Sequence, residues 1–259
     1  MLDPTLRFSS RVENYVKYRP HYPREVIDIL REKCGLAPEW RIADVGSGTG
    51  ILTELFLNNG NPAYGVEPNG PMRSAAEQLL GGHANFTSVD GTAENTTLDD
   101  ASVDMVTAGQ AFHWFDQGLA KQEFRRILKP GGWVVMVWND RRLDATPFMT
   151  AYARLLLEYT NDSTKVDHRQ VDDRVLAEFF APGGFVACTC DNRQVFDFEG
   201  LNGRLLSSSY APEPGDPRHE PMIAELSHIF EMYQSQGQVS FEYDTRIYMG
   251  RFDTESTRP

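Results

Sequence analysis

"RIADVGSGTG", residues 41–50, is a short apolar run that ends in three glycines within five positions. Directly after it the apolar period changes from that of a strand to that of a helix. Ile51, Leu52, Leu55 and Phe56 fall on one face, and Gly60 closes the segment. A buried strand that runs straight into a helix does not return as a hairpin; the helix carries the chain across to a parallel neighbour. The alternation then continues. "PAYGVEP" predicts a second strand, stopped by Pro68. "NGPMRSAAEQLLGG" predicts a helix capped by Asn69, with Pro71 in its first turn, Met72, Ala75, Ala76, Leu79 and Leu80 buried, and Gly81 as its stop. "NFTSVD" and "SVDMVTAGQ" predict the third and fourth strands. Asp116 caps a helix burying Leu119, Ala120, Phe124, Ile127 and Leu128; "KPGG" breaks it, and "WVVMVW" predicts a fifth strand. This order specifies an α/β, Rossmann-like doubly wound sheet with helices on both faces.

Beyond Trp138 the pattern loosens. Helices are expected over residues 146–159 and 173–180, an extended segment over 185–198, a short helix within 201–209, and a helix through Met222, Ile223, Leu226, Ile229, Phe230 and Tyr233. Val239, Phe241, Tyr243, Thr245, Ile247 and Met249 then alternate with mostly polar residues, the pattern of a half-buried antiparallel strand. The sheet is therefore expected to be mostly parallel with an antiparallel final strand, and to carry a helical insertion between its last two strands.

The 259 residues, 41% hydrophobic, suffice for one domain with a real core. The net charge of −12 gives no bulk attraction to nucleic acid or anionic membrane and points to a small-molecule partner. Cys34, Cys188 and Cys190 are odd in number and contain no Cys-x-x-Cys pair, which argues against a disulfide framework and for a reducing cytoplasm. The start lacks a signal-peptide core, and no run approaches the length of a membrane span. Neither the two neighbouring cysteines nor the histidines show metal-ligand spacing, so no metal is expected. Oligomeric state leaves no mark on the sequence.

Parallel sheets bind ligands at the carboxyl ends of their strands, where the strand order switches. Gly46, Gly48 and Gly50 allow a sharp turn and close approach of bare backbone, with Ser47 and Thr49 between them. The N–H groups of the following helix suit a carboxylate or phosphate. A nicotinamide-binding fingerprint would read Gly-x-Gly-x-x-Gly; here the third glycine comes one residue early, and Ile51 stands where it belongs. Glu67, about 20 residues on, can take both hydroxyls of a ribose. The third strand ends in Asp90-Gly91, followed by Thr92-Ala93-Glu94, and an acid there can accept the exocyclic amine of an adenine.

These segments together resemble the class I S-adenosylmethionine-dependent methyltransferases. "ADVGSGTG" is similar to the family's first motif, "GVEPN" to its ribose-binding acid, "DGTAE" to its adenine loop, "VDMVTAGQAFHWFD" to its fourth-strand motif, and "EFRRILKPGGWVVMVW" to the helix and strand that follow. The resemblance covers about residues 10–140, and the reversed final strand is also a family feature. "YVKYRPHYP" and "QAFHWFD" resemble the branch containing the trans-aconitate and related small-molecule methyltransferases.

The resemblance implies methyl transfer from S-adenosylmethionine, leaving S-adenosylhomocysteine. Asp44, Gly46, Ser47, Gly48 and Gly50 would then serve the methionine end, and Glu67 the ribose. Pro68 and Met72 would flank the nucleoside, and Asp90, Gly91, Thr92, Ala93 and Glu94 would surround the adenine. Gln110 would face both the methionine moiety and the acceptor, and Tyr18 and Arg19 would come over the cofactor from the N-terminal segment. His113, with an unperturbed pKa near neutrality, is the best placed base if the acceptor must lose a proton. Trp114, Arg141, Arg142, Tyr210 and Tyr243 are candidates for the acceptor side. One domain over 1–259 is implied. Residues 1–36 cover the cofactor, 37–140 form the cofactor-binding core, 141–199 and 237–252 complete the sheet, and 200–236 form the insertion or lid. A binding protein that kept the cofactor site without turnover would show the same cofactor motifs. A nicotinamide-dependent oxidoreductase is disfavoured by the early third glycine and the Asp90-Gly91 loop.

Overall fold

The structure, a computed structural model, describes residues 12–160, 173–208 and 210–253. Residues 1–11 of the N-terminal segment, and His168, lie outside them. Helices α1 (Val12–Tyr18) and α2 (Glu25–Cys34) lead into the alternating core. That core is β1 (Ile42–Val45), α3 (Ile51–Asn58), β2 (Ala63–Val66), α4 (Gly70–Leu80), β3 (Phe86–Val89), β4 (Val103–Gly109), α5 (Gln117–Ile127) and β5 (Leu128–Arg141). Then follow α6 (Pro147–Tyr159), α7 (Asp173–Phe180), β6 (Phe185–Phe196), α8 (Phe198–Leu206), α9 (His219–Tyr233) and β7 (Val239–Gly250). The seven strands are ordered β3-β2-β1-β4-β5-β7-β6. Strands β1 to β5 pair in parallel, and β7 runs antiparallel to both β5 and β6. The order reverses between β1 and β4, so the crevice above their carboxyl ends is where a ligand can enter.

Both expected caps form: Asn69 accepts from the Met72 N–H and Asp116 from that of Leu119; Thr146 caps α6 in the same way, accepting from the Met149 N–H. Two apolar layers cover the sheet. Val26, Leu30, Phe56 and Leu80 lie against Ile42, Met105 and Ile247 on one side. Phe124, Ile127, Leu176 and Phe180 lie against Val45, Val106 and Met136 on the other. A third cluster joins α6, α8, α9 and the first half of β7, through Tyr152, Leu205, Met222, Leu226 and Phe241. The insertion between β6 and β7 thus shares a core of its own with α6.

Three local expectations are corrected. Leu79 and Leu119 are 52% and 51% exposed. Met72, Ala76 and Leu80 already complete the buried stripe of α4, as Ala120, Phe124 and Ile127 do in α5, and the neighbouring leucine points about 100° away. "KPGG" is not a loop before the fifth strand. Leu128 already pairs with Val103 and Trp133 with Met105, so residues 129–132 bulge within β5, with Gly131 at φ +76. Helix α8 starts at Phe198, ahead of the expected insertion, because Asp197 accepts from the Gly200 N–H and caps it.

Candidate active site

The turn after β1 is left-handed at each glycine, with φ +68 at Gly46, +59 at Gly48 and +87 at Gly50. Their reasons differ. A Cβ on Gly46 would lie 2.7 Å from the Ala111 Cβ, and one on Gly50 would collide with Leu80 Cδ1, so these two let the turn pack. A Cβ on Gly48 would meet nothing within 4 Å: here the bare backbone faces open space. The Gly46 and Ser47 N–H groups donate to the Val66 carbonyl at 2.9 and 3.1 Å, fastening the turn over β2. Buried Thr49 Oγ1 has no hydrogen-bond partner among the described residues.

Two buried carboxylates flank this turn. Asp44 is fully buried in β1 and accepts from the Thr53 hydroxyl at 2.6 Å and the Thr107 hydroxyl at 3.1 Å. Burial outweighs these bonds and raises its carboxyl to about 7. Glu67 reaches back across the turn. Its Oε2 accepts from the Gly48 N–H and its Oε1 from the Asn69 N–H, both at 2.8 Å. Burial raises its pKa against these two bonds and nearby Arg73. A carboxylate has about four lone-pair sites, so two remain for two further hydroxyl donors.

The loop after β3 is built from both sides. Arg73 forks onto Asp90 at 2.9 and 3.2 Å and donates to the Glu67 carbonyl at 2.8 Å, while the Asp90 side chain stays exposed. Gly91 is buried where a Cβ would come 2.8 Å from the Thr96 carbonyl oxygen. Ala93 is buried, and the Asn95 N–H donates to Thr92 Oγ1. Glu94 accepts from the Asp116 N–H at 2.9 Å, tying the loop to α5. Glu123, in α5, accepts from both the N–H and the hydroxyl of Thr96, and its bonds to Arg126 help hold its pKa down at about 2. Buried Met72 starts α4 beside half-buried Pro68.

At the end of β4, Gln110 takes φ +55, a left-handed conformation that costs a non-glycine residue about 1–2 kcal/mol. Its N–H donates to the Val137 carbonyl, and its side chain to that of Asn139 at 3.2 Å. A 3-10 turn over Phe112–Trp114 follows, with His113 half-buried and its ring 4.9 Å from that of Trp114. Asn139 also donates to the Pro20 and His21 carbonyls, and Asn192 to that of His21, so the segment after α1 crosses the ends of β5 and β6. Tyr22 packs its hydroxyl on Gly109 and lies close enough to both Asp44 and Arg19 to be influenced by their charges.

Tyr18 and Arg19 turn towards α8. The Tyr18 ring lies on Gly203 with its hydroxyl 3.4 Å from Glu199, and Arg19 Nη2 donates to the Ser207 carbonyl at 3.0 Å. Arg141 lies 3.5 Å from the Tyr210 hydroxyl and over the Tyr152 ring, across the β5–β7 register from Tyr243. Arg142, the residue after β5, is held instead by Asp191 and Asp244. The structure therefore gathers Arg19, Arg141, Tyr210 and Tyr243, whereas Arg142, which lines a pocket with Arg141, is taken up by two carboxylates.

Residues 43–136 match the family model described as a methyltransferase domain. An uncharacterised methyltransferase of Geobacillus kaustophilus is 30% identical over 170 residues, 62% of this chain and 74% of the relative. The chain belongs to the methyltransferase family. An uncharacterised methyltransferase of Mycobacterium bovis is 40% identical over 139 residues, and that match spans only about half of each chain, 54%. Among solved structures, a candidate type II methyltransferase from Anaeromyxobacter dehalogenans shares the fold at TM-score 0.67 and 22% identity, covering 92% of this chain and all of that one. An S-adenosylmethionine-dependent methyltransferase of Geobacter sulfurreducens, in complex with S-adenosyl-L-homocysteine, does so at TM-score 0.52 and 18% identity, over 96% and 99%.

Sequence reasoning missed the residues that hold the site together: Thr53 and Thr107 under Asp44, Arg73 between Glu67 and Asp90, and Asn139 under Gln110. It also missed Arg204 and Tyr152. Arg204 carried a signal, being an arginine inside the apolar stretch "LNGRLL".

Proposed function

We propose that the chain transfers the methyl group of S-adenosylmethionine to a small-molecule acceptor in the cytoplasm. The observation that carries this reading is the Gly48–Glu67 contact, open backbone at a left-handed turn crossed by a buried carboxylate with two acceptor sites to spare. Orphaned Thr49 Oγ1, at the helix start, fits a polar ligand in the same place. Asp44 and the Gly46–Gly50 turn would hold the methionine end, and Glu67 the ribose hydroxyls. Pro68, Met72 and the Asp90–Glu94 loop would enclose the adenine. The solved structure with S-adenosylhomocysteine shares this fold and supports the choice of ligand.

When bound, S-adenosylmethionine supplies a methyl group already activated by its sulfonium. The chain is left to align the acceptor and exclude water, and such positioning can contribute roughly 7–11 kcal/mol. The strained backbone of Gln110 aims its side chain across the end of β4. His113, two residues past Ala111 in the turn that follows, would take a proton from an acceptor that must lose one. Trp114 would line the acceptor side. The net charge of −12 and the resemblance of "YVKYRPHYP" and "QAFHWFD" support a small acceptor. Among the described residues no helix is long and apolar enough to cross a membrane.

The test is a screen of metabolite extracts for transfer of labelled methyl from S-adenosylmethionine, alongside thermal shifts with S-adenosylhomocysteine and with NAD. The expected result is a labelled small product and stabilisation by S-adenosylhomocysteine. Stabilisation by NAD alone would contradict the reading. Tight cofactor binding without any labelled product, unchanged by Gln110→Ala or His113→Ala, would favour a binding protein.

A further inference from the structure

In a chain with 37 acidic and 25 basic side chains, cations find partners easily. Arg126 and Arg142 each take two carboxylates, and Arg73, Arg218 and Arg31 take one apiece. Arg19, Arg141 and Arg204 are different. None of the three makes an ion pair with a described residue, although all three sit at the inner end of the crevice. Arg204 is only 4% exposed; the Ser207 and Ser208 hydroxyls lie 3.5 Å from its Nη1, and the Tyr243 hydroxyl is a further neutral partner. Arg19 Nε, Arg141 Nη1 and Arg204 Nε are buried with no hydrogen-bond partner, as is the Tyr152 hydroxyl. Tyr152, Tyr210 and Tyr243 lie around the guanidinium groups, and among the described residues no acid pairs with them.

Burying a guanidinium without a counter-ion is costly, and a purely structural role would be filled better by an apolar side chain. Three such groups from three separate elements, the end of α1, the end of β5 and α8, converge only if something anionic is to be held. We propose that Arg19, Arg141 and Arg204 form an oxyanion subsite, and that a carboxylate or phosphate on the acceptor docks there and closes α1 onto α8. The term acceptor rests on the methyl-transfer reading above; the anion site does not. Guanidinium groups suit planar or tetrahedral oxyanions because each offers a fork of N–H donors.

The closing follows from the same contacts. Helix α1 is fastened to α8 by Lys17 with Glu199 at 3.1 Å, Tyr18 on Gly203, and Arg19 on the Ser207 carbonyl. Burial and the neighbouring Arg204 both disfavour the charge on Arg19, so like-charge repulsion works against this contact. An anion between the two turns the repulsion into a bridge. Burial would raise the Tyr210 hydroxyl, but Arg141, Arg204, a Ser208 hydrogen bond and Arg19 bring it below the ordinary phenol value, consistent with a strongly positive pocket.

The experiment is a thermal-shift titration of the wild-type chain at constant ionic strength set with chloride. Succinate, adipate and citrate are the carboxylate probes, inorganic and methyl phosphate the phosphate probes, and succinamide the uncharged control. At least one anion should give a saturable rise in Tm, and succinamide none; the class that does so names the headgroup. Arg204→Met should fold with an unchanged or higher Tm, bind S-adenosylhomocysteine within about twofold of wild type, and lose about tenfold or more in anion affinity, since it removes a charged hydrogen-bond donor. Tryptic cleavage after Lys17 should be slowed by the anion in the wild type and not in the variant. Arg141→Met gives the same readouts should Arg204→Met fail to fold. No saturable anion effect in the wild type, or equal anion affinity in the folded variant, overturns the proposal. Anion binding in a chain that ignores S-adenosylhomocysteine would instead overturn the cofactor reading and leave the subsite standing.

Discussion

The two ends of the crevice handle charge in opposite ways. At the β1–β2–β3 end, buried carboxylates meet donors close in sequence or one strand away: Asp44 with Thr53 and Thr107, Glu67 with the Gly48 and Asn69 N–H groups. At the β5–α8 end, arginines from positions 19, 141 and 204 meet one another's neighbours and no acid among the described residues. The first end is a finished local motif. The second is assembled from far-apart segments and leaves charge to be neutralised. A site of this kind can keep one half constant for a common ligand and vary the other for its own acceptor.

Substitutions at the two ends should separate these roles. The largest effect is expected from Glu67→Ala, which removes the acceptor for two hydroxyls and the clasp on Gly48. S-adenosylhomocysteine affinity by calorimetry should fall about 1,000-fold, or ~4 kcal/mol. A fall of less than tenfold would mean that Glu67 only supports the turn. Next come the glycines. Gly46→Ala combines a left-handed φ with a Cβ 2.7 Å from that of Ala111 and should lower stability by about 3 kcal/mol in urea titration. Gly48→Ala has open space around its Cβ and should lower it by only about 1–2 kcal/mol, while weakening the ligand more. Equal stability losses would remove the distinction drawn between packing and ligand-facing glycines.

A smaller effect concerns pH. The Asp44 carboxyl is raised by burial to about 7, so the folded chain holds a proton that the unfolded chain gives up near pH 4. Its contribution is therefore intact below pH 4 and is lost as pH rises towards 7. Asp44→Asn should remove about 2 kcal/mol of that decline, read as the difference in unfolding free energy between pH 5 and pH 8. A variant with the wild-type slope would contradict the assignment. The smallest effect is expected from Arg142→Ala. Its pairs with Asp191 and Asp244 are partly exposed, and stability should drop by about 1 kcal/mol or less; a larger loss would show that this pair of bridges anchors β5 to β7 and β6.

The contrast also explains what could be read from the sequence. The glycine turn, Glu67 and the Asp90–Glu94 loop occupy consecutive strand tips, so period and spacing alone placed them. The caps at Asn69 and Asp116 and the reversed β7 were legible for the same reason, because each depends on residues within a few positions. Leu79, Leu119 and the bulge at residues 129–132 were not, because helix-face width and strand register are decided by neighbours. Arg141 and Arg142 were both expected at the acceptor end, and the sequence could not say that Asp191 and Asp244, from two later strands, would take up Arg142. Arg204 joins Arg141 through the side-chain cluster that α8 shares with α6, α9 and β7, which no local pattern encodes.

The most direct test of the central claim is a crystal structure of the chain with S-adenosylhomocysteine. The account predicts the ribose hydroxyls on Glu67, the homocysteine end along the Gly46–Gly50 turn near Asp44, and the adenine beside Asp90. A ligand bound elsewhere, with the Gly48–Glu67 contact unchanged and nothing laid across it, would contradict it.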